Sequence, residues 1–367
     1  MRATRPRPPE PASMRADLPN ERHASDLPWG ARRYGTVLLA GGILVGALMV
    51  VSLGVGHVAI SPADVLAALR GEPAVEYHDH IVLGLRLPRV LIAAVAGCML
   101  GLAGALLQAA TRNDLAEPSL LGVSGGAVLA IVAVLTMTGW DTLPGLWSGA
   151  IALAGAFAAG GLAYVLSWSR RVGAVRLVLD GVLVSAVLSS LVSVLLLLDG
   201  SLFSAVLRWV VGTLNGRVWQ DWAVLWPWAL VAVPAGLLMS RQAAALWLGD
   251  DVAAATGLRV GRARLAVLAT ATVLTAGAVA AVGAVGFVGL LSSHIARLLV
   301  GSHPRRVLPL ACVVGAGLLV SADLLAELLT ALWPEDGVQN RPSLPAGAVT
   351  AMLGGPVLVA LLARRRT

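Results

Sequence analysis

Few residues in this chain are of types that do covalent or metal chemistry, and their spacing argues against most of it. The segment EYHDH (76–80) offers His78, Asp79 and His80 as ligands, yet it reads more simply as an exposed, flexible loop than as a metal site. His294 and Arg297 stand three apart in an apolar stretch and would share one helical face. An ionisable group in such a stretch is a functional candidate by default, but one histidine makes no metal site, and Arg297 lies near enough to the end to reach a polar boundary. Cys98 and Cys312 both fall in apolar stretches and read as small packing residues rather than a disulfide or metal pair. No HExxH is present, and GVSGG (122–126) misses the spacing of a nucleophile elbow. Lysine is absent, so all 27 basic residues are arginine, and no GxxxxGK[ST] loop exists to cradle ATP. If ATP drives this protein, another chain hydrolyses it.

The remaining polar residues gather in short segments between apolar ones. TRNDLAEP (111–118) collects Arg112, Asn113, Asp114 and Glu117, groups that water or a partner protein would satisfy at least cost, with Glu117–Pro118 suited to start a helix. In LWLGDDVAAATGLRVGR (246–262), Gly249 can end one short helix, Asp250 or Asp251 can cap the next, and Gly257 can stop it. RLPR (86–89) brackets Leu-Pro with two arginines at the start of an apolar run.

The elements that must position these residues are membrane spans. With 57% apolar residues, 13% charged residues and a mean hydropathy of +0.82, the chain is no ordinary soluble enzyme. Ten apolar segments run near 36–56, 90–109, 119–138, 146–168, 177–198, 222–240, 265–284, 286–300, 307–326 and 346–363. Leu265–Ala296 holds no Asp, Glu, Lys or Arg, and as one helix would measure about 48 Å against a hydrocarbon core of about 30 Å. Glycines 283, 286 and 289 offer a break, so it reads as two helices, the second short. Gly97, Gly101 and Gly104 leave one side of the 90–109 helix nearly bare, so that a second helix can approach closely. Residues 1–34, rich in Arg, Pro, Asp and Glu, read as a disordered tail, and 35–367 as one membrane domain.

With the N terminus placed in the cytoplasm, 21 arginines fall inside and only Arg70, Arg86, Arg89, Arg208, Arg217 and Arg341 outside, which predicts both termini inside. The net charge of +7 is explained by this orientation rather than by nucleic acid.

Several segments resemble the permease subunits of bacterial ABC importers for ferric siderophores, haem and vitamin B12, the FecCD or BtuC-like family. They are RLPRVLIAAVAGCMLGLAGALLQAATRNDLAEPSLLGVSGGA (86–127), WVVGTLNG (209–216), LWLGDDVAAATGL (246–258), VGFVGLLSSHIARLLVGSHPRRVLPL (285–310), SADLLAE (321–327) and LPAGAVTAMLGGPV (344–357). The resemblance implies an all-α polytopic protein of ten transmembrane helices in the bacterial cell membrane, with both termini cytoplasmic. It also implies a second permease subunit, two ABC ATPase subunits that bind ATP and Mg, an extracytoplasmic binding protein, and no cofactor or metal of the chain's own. The cargo it suggests is a ferric siderophore first, then haem or cobalamin. A carrier driven by an ion gradient is the alternative from another class, disfavoured because the spans show no mid-depth Asp or Glu.

Residue by residue, the resemblance makes 244–262 the segment that couples to the ATPase, through Leu248, Gly249, Asp250, Asp251, Ala253, Ala254 and Gly257. It places Arg112, Asn113, Glu117 and Pro118 in a cytoplasmic loop near the gate, where the family usually reads Arg-Asn-Pro and this chain has Asp114. It makes Arg86 and Arg89 docking residues for the binding protein. The family's third docking arginine is replaced here by Glu327, and Arg341 in the following loop is the candidate substitute.

Overall fold

The computed structural model describes residues 31–56, 58–72, 75–119, 122–139, 145–168, 174–198, 203–332 and 343–364. Residues 1–30 of the proposed tail lie outside the described residues. Every regular element among those described is helical. In chain order they are α1 (Ala31–Gly54), α2 (Pro62–Leu69), α3 (Glu76–Asp79), α4 (Leu87–Thr111), α5 (Val123–Thr138), α6 (Gly145–Trp168), α7 (Ala174–Leu198), α8 (Phe203–Val211), α9 (Trp219–Leu238) and α10 (Ser240–Leu248). Then follow α11 (Asp250–Ala255), α12 (Val260–Val282), α13 (Val288–Val300), α14 (Pro304–Ala331) and α15 (Ala346–Arg364). All ten apolar segments coincide with helices. Among the described residues, six helical stretches are long and apolar enough to cross a membrane, and four apolar helices are shorter.

Small residues decide how these helices meet. Lipid is as apolar as leucine, so helices in a bilayer associate by close packing rather than by a hydrophobic drive. α4 is the centre of the bundle, packed by α14, α12, α13 and α9. A Cβ on Gly97 would lie 2.3 Å from the Gly315 carbonyl oxygen of α14, and one on Gly101 would lie 2.2 Å from that of Ala311. Gly104 meets Gly289 of α13 in the same way, at 2.5 Å. The bare face predicted for this helix therefore has two partners, α14 along most of its length and α13 near its end. Cys98 and Cys312 are free thiols on the two helices of the α4–α14 contact. Gly126 of α5 and Gly155 of α6 form a second such crossing.

The break in the long apolar run falls at residues 283–287. Gly283 takes a φ of 78°, and Phe287 adopts the left-handed region at 67°. A break exposes backbone groups that lipid cannot satisfy. The WVVGTLNG segment satisfies them here: Ala284 N–H donates to Trp209 O at 2.8 Å, and Thr213 N–H donates to Val282 O at 2.9 Å. Gly347 N–H, at the start of α15, donates to Gly212 O at 3.0 Å, so the same segment also holds α15 in place.

EYHDH is a helix rather than a flexible loop. Its residues open a helical stretch that passes through a π-helical turn, His80–Arg86, into α4. Pro88 has no N–H with which to continue the ladder, and the widened turn ends just before it. His78 is buried with its ring edge-on to Tyr77, and no three His, Cys, Asp or Glu side chains among the described residues converge as a metal set.

Because the α4–α14 contact leaves no room for a methyl group, Gly97→Val and Gly315→Val should each lower the unfolding midpoint, by overpacking worth about 1–3 kcal/mol or more. Gly46→Ala, which would meet nothing within 4 Å, should leave it unchanged. Thermal unfolding in detergent or nanodiscs reads the difference.

Candidate functional site

α10 and α11 lie at the end of the bundle that carries Arg112, Arg264, Arg297 and Arg305. Gly249 separates them with a φ of 114°, a conformation that favours glycine, and Gly257 ends the pair in the left-handed region. Asp250 is the first residue of α11 and makes no side-chain cap, contrary to the capping expected from sequence. Its Oδ1 is claimed by two guanidiniums instead, Arg264 at 2.7 Å and Arg112 at 3.5 Å. Arg264 Nε also donates to the Ala110 carbonyl at 3.1 Å, in the last turn of α4, where no intrahelical donor remains for that oxygen. Asp251 and Ala254 are exposed and Ala253 is buried, while Leu248 and Val252 present apolar surface, 67% and 47% exposed.

A second guanidinium ties α10 to the same region. Arg297 of α13 donates to the Gln108 side-chain oxygen and lies 3.6 Å from Asp114, with its Cζ 5.7 Å from the Trp247 ring centroid. Gln108 and Trp247 carry no charge, and partners that stand 50 and 189 residues from Arg297 leave no local trace in the sequence. Asp114, which stands where the family has proline, gives Arg297 a carboxylate.

The loop that follows α4 does not stay at the boundary. Arg112 ends α4 with a φ of 50°, and Asn113 Oδ1 accepts from the Leu115 N–H at 3.0 Å. From there the chain turns back into the bundle. Pro118 is buried, and α5 begins only at Val123, not at Glu117–Pro118. Val123 packs by Gly160 and so does Thr272, twelve residues into α12, roughly 18 Å from the start of that helix at 1.5 Å per residue. Glu117 is 3% exposed, and its carboxyl lies beside the Phe287 N–H and the Ser119 hydroxyl. Water or a partner was the expected neighbour of such a group, and the broken α12–α13 backbone stands there instead.

At the opposite end, both arginines of RLPR turn toward the protein. Arg86 donates to the Leu53 carbonyl at 2.7 Å and to the Val58 carbonyl. Arg89 forks onto Asp323 of α14, both contacts 2.8 Å, and reaches Glu327 at 2.5 Å, with its side chain 14% exposed. Glu327, the residue that departs from the family's arginine, thus has a partner in this chain. Arg341 lies outside the described residues.

The arrangement defines a class of protein: a helical membrane protein with a broken span and a segment that re-enters the bundle. The chain belongs to the FecCD transport family, whose model matches residues 43–364, and is a permease of the ABC importers that carry iron–siderophore, citrate or haem cargo. It is 38% identical over 325 residues to the achromobactin transport system permease CbrC of Dickeya dadantii, covering 88% of this chain and 90% of the relative. It is 38% identical over 288 residues to the Fe(3+)-citrate import system permease YfmD of Bacillus subtilis, covering 78% and 82%. Among solved structures, a chain from a metal-chelate type ABC transporter described as inward-facing is similar, with a TM-score of 0.74 and 26% identity over 90% of this chain and all of that one.

Removing one partner of a buried ion pair costs about 3–5 kcal/mol, because the remaining charge is left uncompensated. Arg89→Ala strands two carboxylates and should destabilise by that order. Glu327→Gln, which leaves the Asp323 fork intact, should cost well under half as much. Chemical denaturation of the two variants in one detergent compares them directly.

Proposed function

We propose that this chain is the permease subunit of an importer that moves a ferric siderophore inward, driven by a separate ATPase. The exposed apolar surface of Leu248 and Val252 carries the reading. It lies on short helices at the arginine-rich end, outside the long spans, where lipid does not cover it and a partner protein would. Gly249, Asp250, Asp251, Ala253, Ala254 and Gly257 shape this seat, with the small alanines allowing close approach.

The same reading puts the arginine-rich end and both termini in the cytoplasm. Six long and four shorter apolar helices are compatible with ten spans. Two copies, or this chain and a paralogue, would enclose the path between them, and closure of the ATPase dimer would rock the spans in alternating access. An extracytoplasmic binding protein would meet the end that carries Arg86 and Arg89, with Arg341, outside the described residues, as the proposed third docking arginine. Arg89 already has two carboxylates, so its part is to hold the ends of α4 and α14 in register. Half-buried Arg86 is the guanidinium nearer to a partner's acidic groups, where charge steers docking more than it adds affinity. Arg112, Asn113, Glu117 and Pro118 form the segment proposed to shape the inner gate.

Cargo follows from the relatives, whose names specify achromobactin and ferric citrate, and is an argument from kinship rather than from a lining residue. One observation favours the gradient-driven alternative. Glu117 places a carboxyl group inside the bundle, where the sequence suggested none among the spans.

Uptake into proteoliposomes holding the chain, its ATPase and its binding protein separates the readings. A radiolabelled ferric siderophore should accumulate with trapped ATP and stop when the ATPase carries a hydrolysis-dead substitution. Accumulation that survives the dead ATPase and collapses with the ion gradient would establish the carrier instead. Parallel arms with ferric citrate, haem and cobalamin rank the cargo.

A further inference from the structure

We infer that two arginine clamps, Arg264–Asp250–Arg112 and Arg297–Trp247, carry displacement of α10 and α11 into the re-entrant segment that reaches the broken span. The inference rests on the importer reading above and adds the route by which force would leave the ATPase seat. α11 has six residues and does not cross the bundle, and it joins α10 through Gly249, whose φ of 114° is open to few other residues. Left to itself, such a pair of helices would swing at that joint. Each half is fastened by a guanidinium contact, in addition to the direct packing of α10 on α4, α14 and α12. α11 is held by Asp250, whose single Oδ1 meets Arg264 and Arg112. α10 is held by Trp247, which lies against Arg297. Other contacts of these three guanidiniums include Ala110 O, Gln108 and Asp114, and Arg112 itself belongs to the loop. All of these lie within residues 108–114, the last turn of α4 and the first residues of the loop.

Five residues beyond Asp114 the segment reaches the broken span, where a Cβ on Gly286 would lie 4.0 Å from Ser119 Oγ, and Glu117 lies beside Phe287 at the start of α13. Phe287 in turn fills the space beside Gly354 of α15, where a Cβ would lie 2.3 Å from its own. The contacts therefore run without a gap from α11 through 108–114 to the junction of α13 and α15. Ion pairs as exposed as Arg112–Asp250, each side chain more than 40% open, contribute little to stability. Their use here is geometric: packed elements transmit a shift only where contacts join them. Arg112 and Arg264 are positioning residues in this scheme and touch no cargo.

The test measures chelate taken up per ATP hydrolysed by the full complex in proteoliposomes. Asp250→Asn and Arg264→Ala should each lower the ratio at least fivefold, and the double variant should fall no further, since both remove one link. Arg305→Ala, an exposed arginine at the same end, should keep the wild-type ratio. Should Arg264→Ala fail to assemble, Asp250→Asn carries the test alone, because its side chain is 43% exposed and little packing is lost. Ratios within twofold of wild type, or losses that multiply in the double variant, would overturn the inference while leaving the importer reading intact. A wild-type complex that accumulates no chelate would overturn both.

Discussion

The contact between α4 and α14 is the constraint on which the other features depend. Gly97 and Gly101 bring two backbones within a distance that no side chain allows, and Gly104 does the same for α13. In a bilayer this closeness replaces the burial that holds soluble cores together. It also sets the height of everything attached to α4. Arg89 meets Asp323 and Glu327 at one end because the two helices run alongside each other, and Gln108 meets Arg297 at the other because α13 lies against the Gly104 side.

Broken and re-entrant backbone is tolerated at membrane depth only where protein, not lipid, supplies the hydrogen bonds. Among the described residues the α12–α13 break is such a place, and two other segments meet it. Residues 209–213 bond to 282–284, and the Glu117 carboxyl lies beside Phe287, which begins a new helix. The family-like motifs WVVGTLNG and LAEP thus share one physical task, which is to close the α12–α13 break from both sides.

The helices were legible because hydropathy is a sum over twenty residues and survives local exceptions. All ten apolar segments became helices, and the missing charge between Leu265 and Ala296, together with its glycines, located the break. Depth was not legible. TRNDLAEP is polar enough to read as a boundary loop, and nothing in its spacing says that Glu117 travels inward while Arg112 remains outside. EYHDH failed for a related reason, because its helical state is set by continuity with α4 and by burial of His78, not by its own composition. Partners distant in sequence were also hidden. Glu327 looked like a lost contact until the fold set it beside Arg89, 238 residues away.

That pairing bears on how this corner of the bundle can change its charge without losing its fold. An arginine at the position of Glu327 would face Arg89 across the same helix contact, leaving Asp323 as the one carboxylate for two guanidiniums. With Glu327 the cluster is instead one guanidinium between two carboxylates, and Arg89 is drawn inward by both. The substitution therefore alters two features of the surface together: it removes a positive charge at one position and withdraws another at Arg89. Charge at the rim and geometry at the helix ends are thereby linked through one buried cluster.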